Sequence, residues 1–436
     1  MNHICASCGN TKLSPVIDFG VVALAGAFLK PSQFASEKKY PLRVVFCPAC
    51  FLLQVEEHVP PEEIFDGNYF YFSSKIETLK KHFELSAKEL VERFVDKEKS
   101  LIVEIGCNDG VLLKPLHKQG CKKLIGVDPS TNILSSMDGS SFILMNRFFS
   151  EETANLIVKE HGQADLIIAN NVIAHISNIR GAITGVERLL SERGVFAFEV
   201  HYLGDLIDEL QYDMIYHEHI YYYSLLAVSN ILSACHLEIF DVKPIPTHGG
   251  SMRYYVKRCS NSLYPISRAV LDLRKNEVEK GFGKLETFSE YSRRVSNTKS
   301  ELLSLLDRLR DRGPCCMAGY GASGRANTIL QYCGLNSEDL RFIVDDAPAK
   351  QGFVTPGTHI PIVGRSHLDK EWPQYMIVFA WTFLDEIIAK NMDYLRNGGA
   401  FIVPLPDVKI VRFKNEQIER VPWRRALGEG LPGEAR

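Results

Sequence analysis

The sequence predicts an α/β protein built from a small metal-binding module, a parallel doubly wound sheet and a second glycine-rich α/β unit. Two CxxC pairs stand within the first 50 residues, short apolar strands alternate with helical segments through the middle of the chain, and strand–glycine turn–helix junctions occur at "EIGCNDG" and again at "GYGASG".

A chain of 436 residues is too long for one core and suggests two or three domains. With 45% hydrophobic and 24% charged residues it has the composition of an ordinary globular protein. A net charge of −3 without a long basic run argues against a nucleic-acid partner. The opening "MNHICASCGN" lacks the apolar core of a signal peptide and no apolar run approaches bilayer length, so a cytoplasmic protein with no membrane partner is expected. Eleven cysteines in a chain of this size do not form a secreted disulfide scaffold.

Cys5 and Cys8 form the first CxxC and Cys47 and Cys50 ("CPAC") the second, with 38 residues between the pairs. Each turn aims two thiolates at one point, so two turns complete a tetrahedral sulfur shell for zinc. The long intervening loop costs little, because closure entropy grows only logarithmically with length. A four-sulfur shell leaves no open position, so the zinc is expected to be structural. The module should end near Val59-Pro60-Pro61 and is taken as 1–65.

Next, "FELSAKELVERFV" has helical periodicity, and "SLIVEIG", "KLIGVD", "FILM", "ADLIIANNVIAHI" and "GVFAFEVHYL" read as strands. This alternation, over 66–260, predicts a parallel sheet with ligands at the strand carboxyl ends. The first turn departs from GxGxxG: Gly106 allows a tight bend, Gly110 lets the backbone approach a ligand, and Glu104 stands two positions ahead of the first glycine. An acidic strand end suits a cofactor carrying a cation and an amino acid rather than a pyrophosphate. Asp128, ending the next strand, is placed for two ribose hydroxyls. Together they favour S-adenosylmethionine. Asn146 falls at the adenine position, and Asn170 and Asn171, closing the fourth strand, suit the methionine part.

The segment "YHEHIYYY" (216–223) carries histidines at i, i+2 without the i, i+4 helical face of HExxH zinc proteases, so a proton-transfer role is favoured over a metal clamp. In an extended strand His217 and His219 would share one face and Tyr216 and Glu218 the other; convergence of all four needs an irregular loop. Tyr221, Tyr222 and Tyr223 are expected to pack. "IPTHGGSMRYYVKR" reads as a turn and a closing strand, where His248 and Arg253 could meet a sugar or phosphate. Residues 262 to about 312 form charged helices with an apolar stripe, opening a C-terminal unit taken as 261–436. There Gly319, Gly321 and Gly324 satisfy GxGxxG and Asp345 ends the following strand, which by the fingerprint rule alone is a dinucleotide site.

The CxxC pairs, "EIGCNDGVLL", "NNVIAHISN", "YHEHIYYYS", "HGGSMRYY" and "GYGASGRANT", in that order, resemble the S-adenosylmethionine-dependent nucleotide-sugar 3-C-methyltransferases. The resemblance runs from Cys5 to about Pro406. It implies a small N-terminal zinc-binding domain, a central Rossmann-like class I methyltransferase domain and a C-terminal Rossmann-like domain. It also implies methylation at C3 of a dTDP- or GDP-linked 4-keto-deoxysugar. Asn108, where many methyltransferases have a glycine, resembles this family's own variant. Carbon must lose a proton before it can take a methyl group, and a C4 ketone makes the C3 proton acidic, so a base, an oxyanion donor and an aligned cationic donor are needed. Carried over, the pattern makes His219 the leading base with Tyr216 and Glu218 as its catalytic neighbours, Tyr216 also a candidate base or enolate stabiliser, and His175 the donor to the keto oxygen. It makes "NYFYFSS", with Tyr71 and Ser73, a lid over the cofactor. It assigns the C-terminal glycine turn to the nucleotide diphosphate, with Tyr320 and Arg325 near the phosphates and Lys350 and His359 in the nucleotide pocket. The other readings are an NAD-dependent oxidoreductase using the C-terminal fingerprint and a non-catalytic zinc-containing interaction protein.

Overall fold

Three sheets organise the described residues (4–64, 73–75, 77–135, 137, 141–313 and 315–429) of a computed structural model. The first is antiparallel and joins Ser14–Ala23, Lys39–Phe46 and Leu53–Val55. Its fourth strand, Tyr221–Tyr222, comes from the middle of the chain, pairing Leu53 with Tyr222 and Gln54 with Tyr221. The zinc module and the "YHEHIYYY" segment are thus parts of one sheet. Tyr221, Tyr222 and Tyr223 are buried, as packing residues should be.

The central sheet places five parallel strands side by side, Ile143–Met145, Lys123–Val127, Leu101–Ile105, Ala164–Asn170 and Leu190–His201. Ser251–Arg258 and Leu237–Ile245 follow antiparallel, the last strand in sequence lying inside the one before it. Leu101–Ile105 is buried at every residue because helices cover both faces, which is why it reads as an unbroken apolar run. One covering helix, Glu77–Phe94, turns Leu79, Phe83, Ala87, Leu90 and Val91 inward at helical spacing.

The C-terminal sheet repeats the plan, with Ile362–Val363, Ile343–Val344, Met317–Tyr320, Tyr375–Val378 and Ala400–Val403 parallel and a hairpin of Lys409–Lys414 and Gln417–Pro422 at one edge. The long helix Leu285–Asp311 buries the stripe Phe288, Tyr291, Val295, Leu302, Leu305 and Leu309. Its Phe288 ring lies 4.7 Å from that of Phe46, so this helix packs on the zinc module. No described helix is long and apolar enough to cross a membrane.

Candidate active site

The sulfur atoms of Cys5, Cys8, Cys47 and Cys50 all lie within 4.8 Å of one another, with Cys5–Cys50 at 3.5 Å and Cys8–Cys47 at 3.6 Å. Tetrahedral zinc with sulfur at about 2.3 Å requires sulfur–sulfur separations of about 3.8 Å, so the four thiolates fit that ion. The Cys50 thiol is pushed up by its bond to the Cys5 sulfur and by burial, and a cation is what lets such crowded thiols ionise together. Buried Gln54 braces the first knuckle, accepting from the Ala6 N–H (3.0 Å) and donating to the Ile4 carbonyl (3.3 Å).

At the carboxyl edge of the central sheet, Gly106 (φ 70°), Asn108 (φ 47°) and Gly110 (φ 75°) form the turn after Leu101–Ile105. A side chain at Gly106 would stand 2.8 Å from Val172, and one at Gly110 would stand 2.5 Å from Met137. The Asp128 carboxylate accepts from the backbone N–H groups of Asn108 and Ser130, both at 2.9 Å, and Asn146 donates to the Asp128 and Pro129 carbonyls. The Ser73 N–H donates to the Asn108 side chain (3.1 Å), tying the segment before Glu77–Phe94 to the turn. Tyr71 lies outside the described residues. Glu104 is 2% exposed, and among the described residues its Oε2 has no hydrogen-bond partner. Burial first, then the Asp128 and Asp109 carboxylates, hold its pKa well above the ordinary carboxylate value. A buried acid in an acidic surround, lacking a donor, fits a positively charged ligand group. Asn170 closes its strand beside Glu199, with Asn171 (φ 53°) bonded through its N–H to the Glu199 carbonyl.

"YHEH" is a turn rather than a strand, closed by the His219 N–H donating to the Tyr216 carbonyl at 2.9 Å. The turn separates the four side chains. Tyr216 and His219 meet, with the phenol oxygen 2.9 Å from His219 Nε2. His219 Nδ1 lies 2.8 Å from the Met214 carbonyl, which can only accept. The ring proton therefore sits on Nδ1, Nε2 presents its lone pair, and the Tyr216 hydroxyl donates to it. His217 turns to the Pro41 carbonyl (3.2 Å), and Glu218 accepts the Gly26 N–H at 3.1 Å. The two corner residues thus reach the zinc module. The His175 ring lies 5.1 Å from that of His219. Burial lowers the pKa of His175 to about 4, and burial together with the neighbouring His175 takes His219 well below its ordinary value, so both are neutral.

Further imidazoles surround this pair. His201 ends Leu190–His201 and bonds to Gln211 (3.1 Å); burial brings its pKa down to about 3. His248 (φ 58°) sits in the turn Thr247–Gly249, lowered by burial, and Gln211 donates to the Gly249 carbonyl. Beside them runs an open cleft of about 570 Å³ between the modules, lined by Gln211 and Gly249 on one side and Trp381, Phe383 and Arg420 on the other.

Other expected binding residues have partners inside the protein. Arg253 is 2% exposed, bonded to Glu199, Ser86 (2.8 Å) and Glu89 (3.2 Å), while His82 holds Glu199 from the other side at 2.9 Å. Arg325 grips Asp213 through two bonds, 2.8 and 3.0 Å. Tyr320 donates to Asp346 and Lys350 to the Ala322 carbonyl (2.6 Å), and His359 bonds to Glu37 (3.0 Å) while stacking on Phe34. The C-terminal glycine turn packs on neighbours too: a side chain at Gly324 would touch Ala25 and Tyr216.

The sequence reading did not single out Asp213, Glu199, His82 or His201. Glu199 and His201 carried a usable signal, since "FEVHYL" places them at a strand's carboxyl end like Asp128. Asp213 and His82 carried none.

Models of a zinc binding domain, a methyltransferase domain and a C-methyltransferase C-terminal domain match residues 5–65, 79–241 and 246–406. The chain is 31% identical over 408 residues to C-methyltransferase NovU from Streptomyces niveus, covering 93% of this chain and 96% of that one. Among solved structures, the CcbJ methyltransferase from Streptomyces caelestis aligns over 40% of this chain and 89% of its own, at 11% identity and TM-score 0.33. Magnesium protoporphyrin IX methyltransferase from Synechocystis aligns over 45% of this chain and 91% of its own, at 16% identity and TM-score 0.33.

Proposed function

The chain belongs to the S-adenosylmethionine-dependent C-methyltransferases with an N-terminal zinc-binding domain, and on that premise we propose that it methylates C3 of a nucleotide-linked 4-keto-deoxysugar through an enolate. The observation that carries this reading is the 2.9 Å contact of the Tyr216 hydroxyl with a His219 whose other nitrogen is locked on a carbonyl. Such a pair moves one proton in a set direction. The phenol oxygen takes the C3 proton as its own proton passes to Nε2, and the C–H electron pair becomes the enolate with its charge on the C4 oxygen. His175 is assigned the oxyanion contact, supported by its place 5.1 Å from His219. Burial makes an imidazolium at His219 a poor resting state, so its proton leaves once the enolate charge has been consumed.

S-adenosylmethionine supplies an electrophilic methyl group when bound. Glu104, Asp128, Asn146, Asn170, Asn171 and the Asn108–Gly110 turn would hold it, Glu104 facing its positive charge and Asp128 its ribose. The sugar is assigned to the side of His248, in the turn Thr247–Gly249 that borders the cleft between Gln211 and Trp381. Zinc holds the N-terminal sheet and through it the strand that follows the catalytic turn.

Incubation with dTDP- and GDP-linked 4-keto-deoxysugars and a methyl-labelled donor tests this. One product with the label on C3 by NMR is expected; a label on oxygen or nitrogen, or no product from any 4-keto sugar, contradicts it.

A further inference from the structure

Asp213 is 0% exposed and is held from the C-terminal module: Arg325 Nε and Trp381 Nε1 donate to its Oδ2 at 2.8 and 2.9 Å, and Arg325 Nη2 donates to its Oδ1 at 3.0 Å. Two residues on, the Ile215 carbonyl accepts the Thr328 hydroxyl at 3.1 Å. Between these anchors lies Met214, whose carbonyl accepts His219 Nδ1–H. Arg325 and Thr328 lie on the same helix, Gly324–Cys333, and Gly324 at its start faces Tyr216. One helix of the C-terminal module therefore touches the stretch 213–216 at three points on either side of the carbonyl that orients the imidazole.

We propose that this helix is the template for the catalytic turn, with Arg325, Thr328 and Asp213 as positioning residues that hold the Met214 carbonyl where it keeps the His219 proton on Nδ1. The consequence is chemical. With the proton on Nδ1, Nε2 accepts the phenolic proton. If the Met214 carbonyl moves away, the proton can shift to Nε2, where it donates to the Tyr216 oxygen and Nε2 can no longer accept the phenolic proton. The two tautomers differ by one proton position, and only one of them can relay. The start of the helix packs beside Tyr216 here, and Arg325 serves geometry rather than phosphate binding.

The proposal rests on the assignment of Tyr216 and His219 as the proton-removing pair, but its test does not need the sugar. Full-length, zinc-loaded protein labelled with nitrogen-15 in histidine is read by long-range proton–nitrogen correlation, with the His219 signals identified by their loss in H219N. The native protein is expected to show Nδ1-protonated His219. Arg325→Lys combined with Thr328→Val keeps charge and volume but loosens both anchors, so the Nε2-protonated form should appear while donor affinity stays within about 2-fold; turnover should fall at least about 10-fold in kcat, with little change in KM. Trp381→Phe, which removes one bond to Asp213, should shift the tautomer in the same direction by less and serves where the double variant does not fold. A folded variant keeping the native Nδ1 signature, or a native protein already protonated on Nε2, overturns the proposal. A wrong sugar assignment would abolish turnover in every variant, native included, and leave the tautomer result standing.

Discussion

In the central module the Asp128 carboxylate accepts the N–H groups of Asn108 and Ser130; in the C-terminal module Asp345 accepts those of Ala322 and Ala347, at 2.7 and 2.8 Å. Each aspartate ends the strand beside a glycine turn, and both sheets share the order of their five parallel strands. The surroundings differ. The central turn faces Glu104, a buried acid with an oxygen lacking a partner among the described residues. The C-terminal turn is packed on Ala25 and Tyr216, with Lys350 donating to its Ala322 carbonyl. The same backbone device thus stands beside an unsatisfied charge in one module and packs on a neighbouring module in the other.

Paired glycine substitutions give the largest contrast. Gly106→Ala forces a side chain into Val172 at φ 70° and should weaken donor binding about 100-fold by calorimetry, from left-handed strain plus overpacking. Gly321→Ala meets a comparable obstacle, Ala380 at 2.9 Å with φ 90°, yet should lower the melting temperature by about 5 °C and leave donor affinity within about 2-fold. Equal loss of donor binding in both would break the comparison.

Chelating the zinc comes next. Because Tyr221–Tyr222 pairs with Leu53–Val55, loss of the metal should raise amide exchange in that strand and stop turnover while the central turn still binds donor. Donor binding lost in step with zinc would place the metal's influence elsewhere.

Glu104→Gln sharpens the electrostatic half. A carboxyl whose pKa is raised in the fold takes up a proton as pH falls, so native affinity for the cationic donor should weaken as pH falls through that raised value, whereas the Gln variant should bind about 10-fold more weakly with a flat profile. The linkage has the opposite sign for stability. The folded state binds this proton more tightly than the unfolded chain, so without donor the native protein loses stability as pH rises above the unfolded value, and the Gln variant should melt higher at neutral pH. A sloping profile in Glu104→Gln would assign the titration to another group.

The smallest effect is expected at Gly324→Ala. Its added carbon would sit 3.6 Å from Ala25 and 3.7 Å from Tyr216, ordinary contact distances, so thermal melting should change by no more than about 0.5 kcal/mol.

What the sequence disclosed and what it withheld divide by range. The CxxC pairs, the glycine turns and the strand-end Asp128 were readable because each is a local device whose residue types follow from backbone geometry. At the 216–219 turn the residue types led to an expectation of proton transfer, but whether all four side chains converge depended on a turn that joins Tyr216 to His219 and sends His217 and Glu218 to the zinc module. The Asp213–Arg325 and His82–Glu199 pairs, 112 and 117 residues apart, left no trace, since periodicity reports the face a residue presents and not which distant side chain meets it. For the same reason the internal partners of Arg253 and Arg325, Glu199 and Asp213, could not be read from the sequence. The return of Tyr221–Tyr222 to complete the N-terminal sheet was likewise not visible in the sequence.

Removal of the C3 proton by the Tyr216–His219 pair is tested most directly by hydrogen exchange without methyl transfer. With S-adenosylhomocysteine in place of the donor and a nucleotide-linked 4-keto-deoxysugar in deuterated water, the native protein should replace the C3 hydrogen, and His219→Asn should do so about 1000-fold more slowly. Exchange at the native rate in His219→Asn would contradict the account.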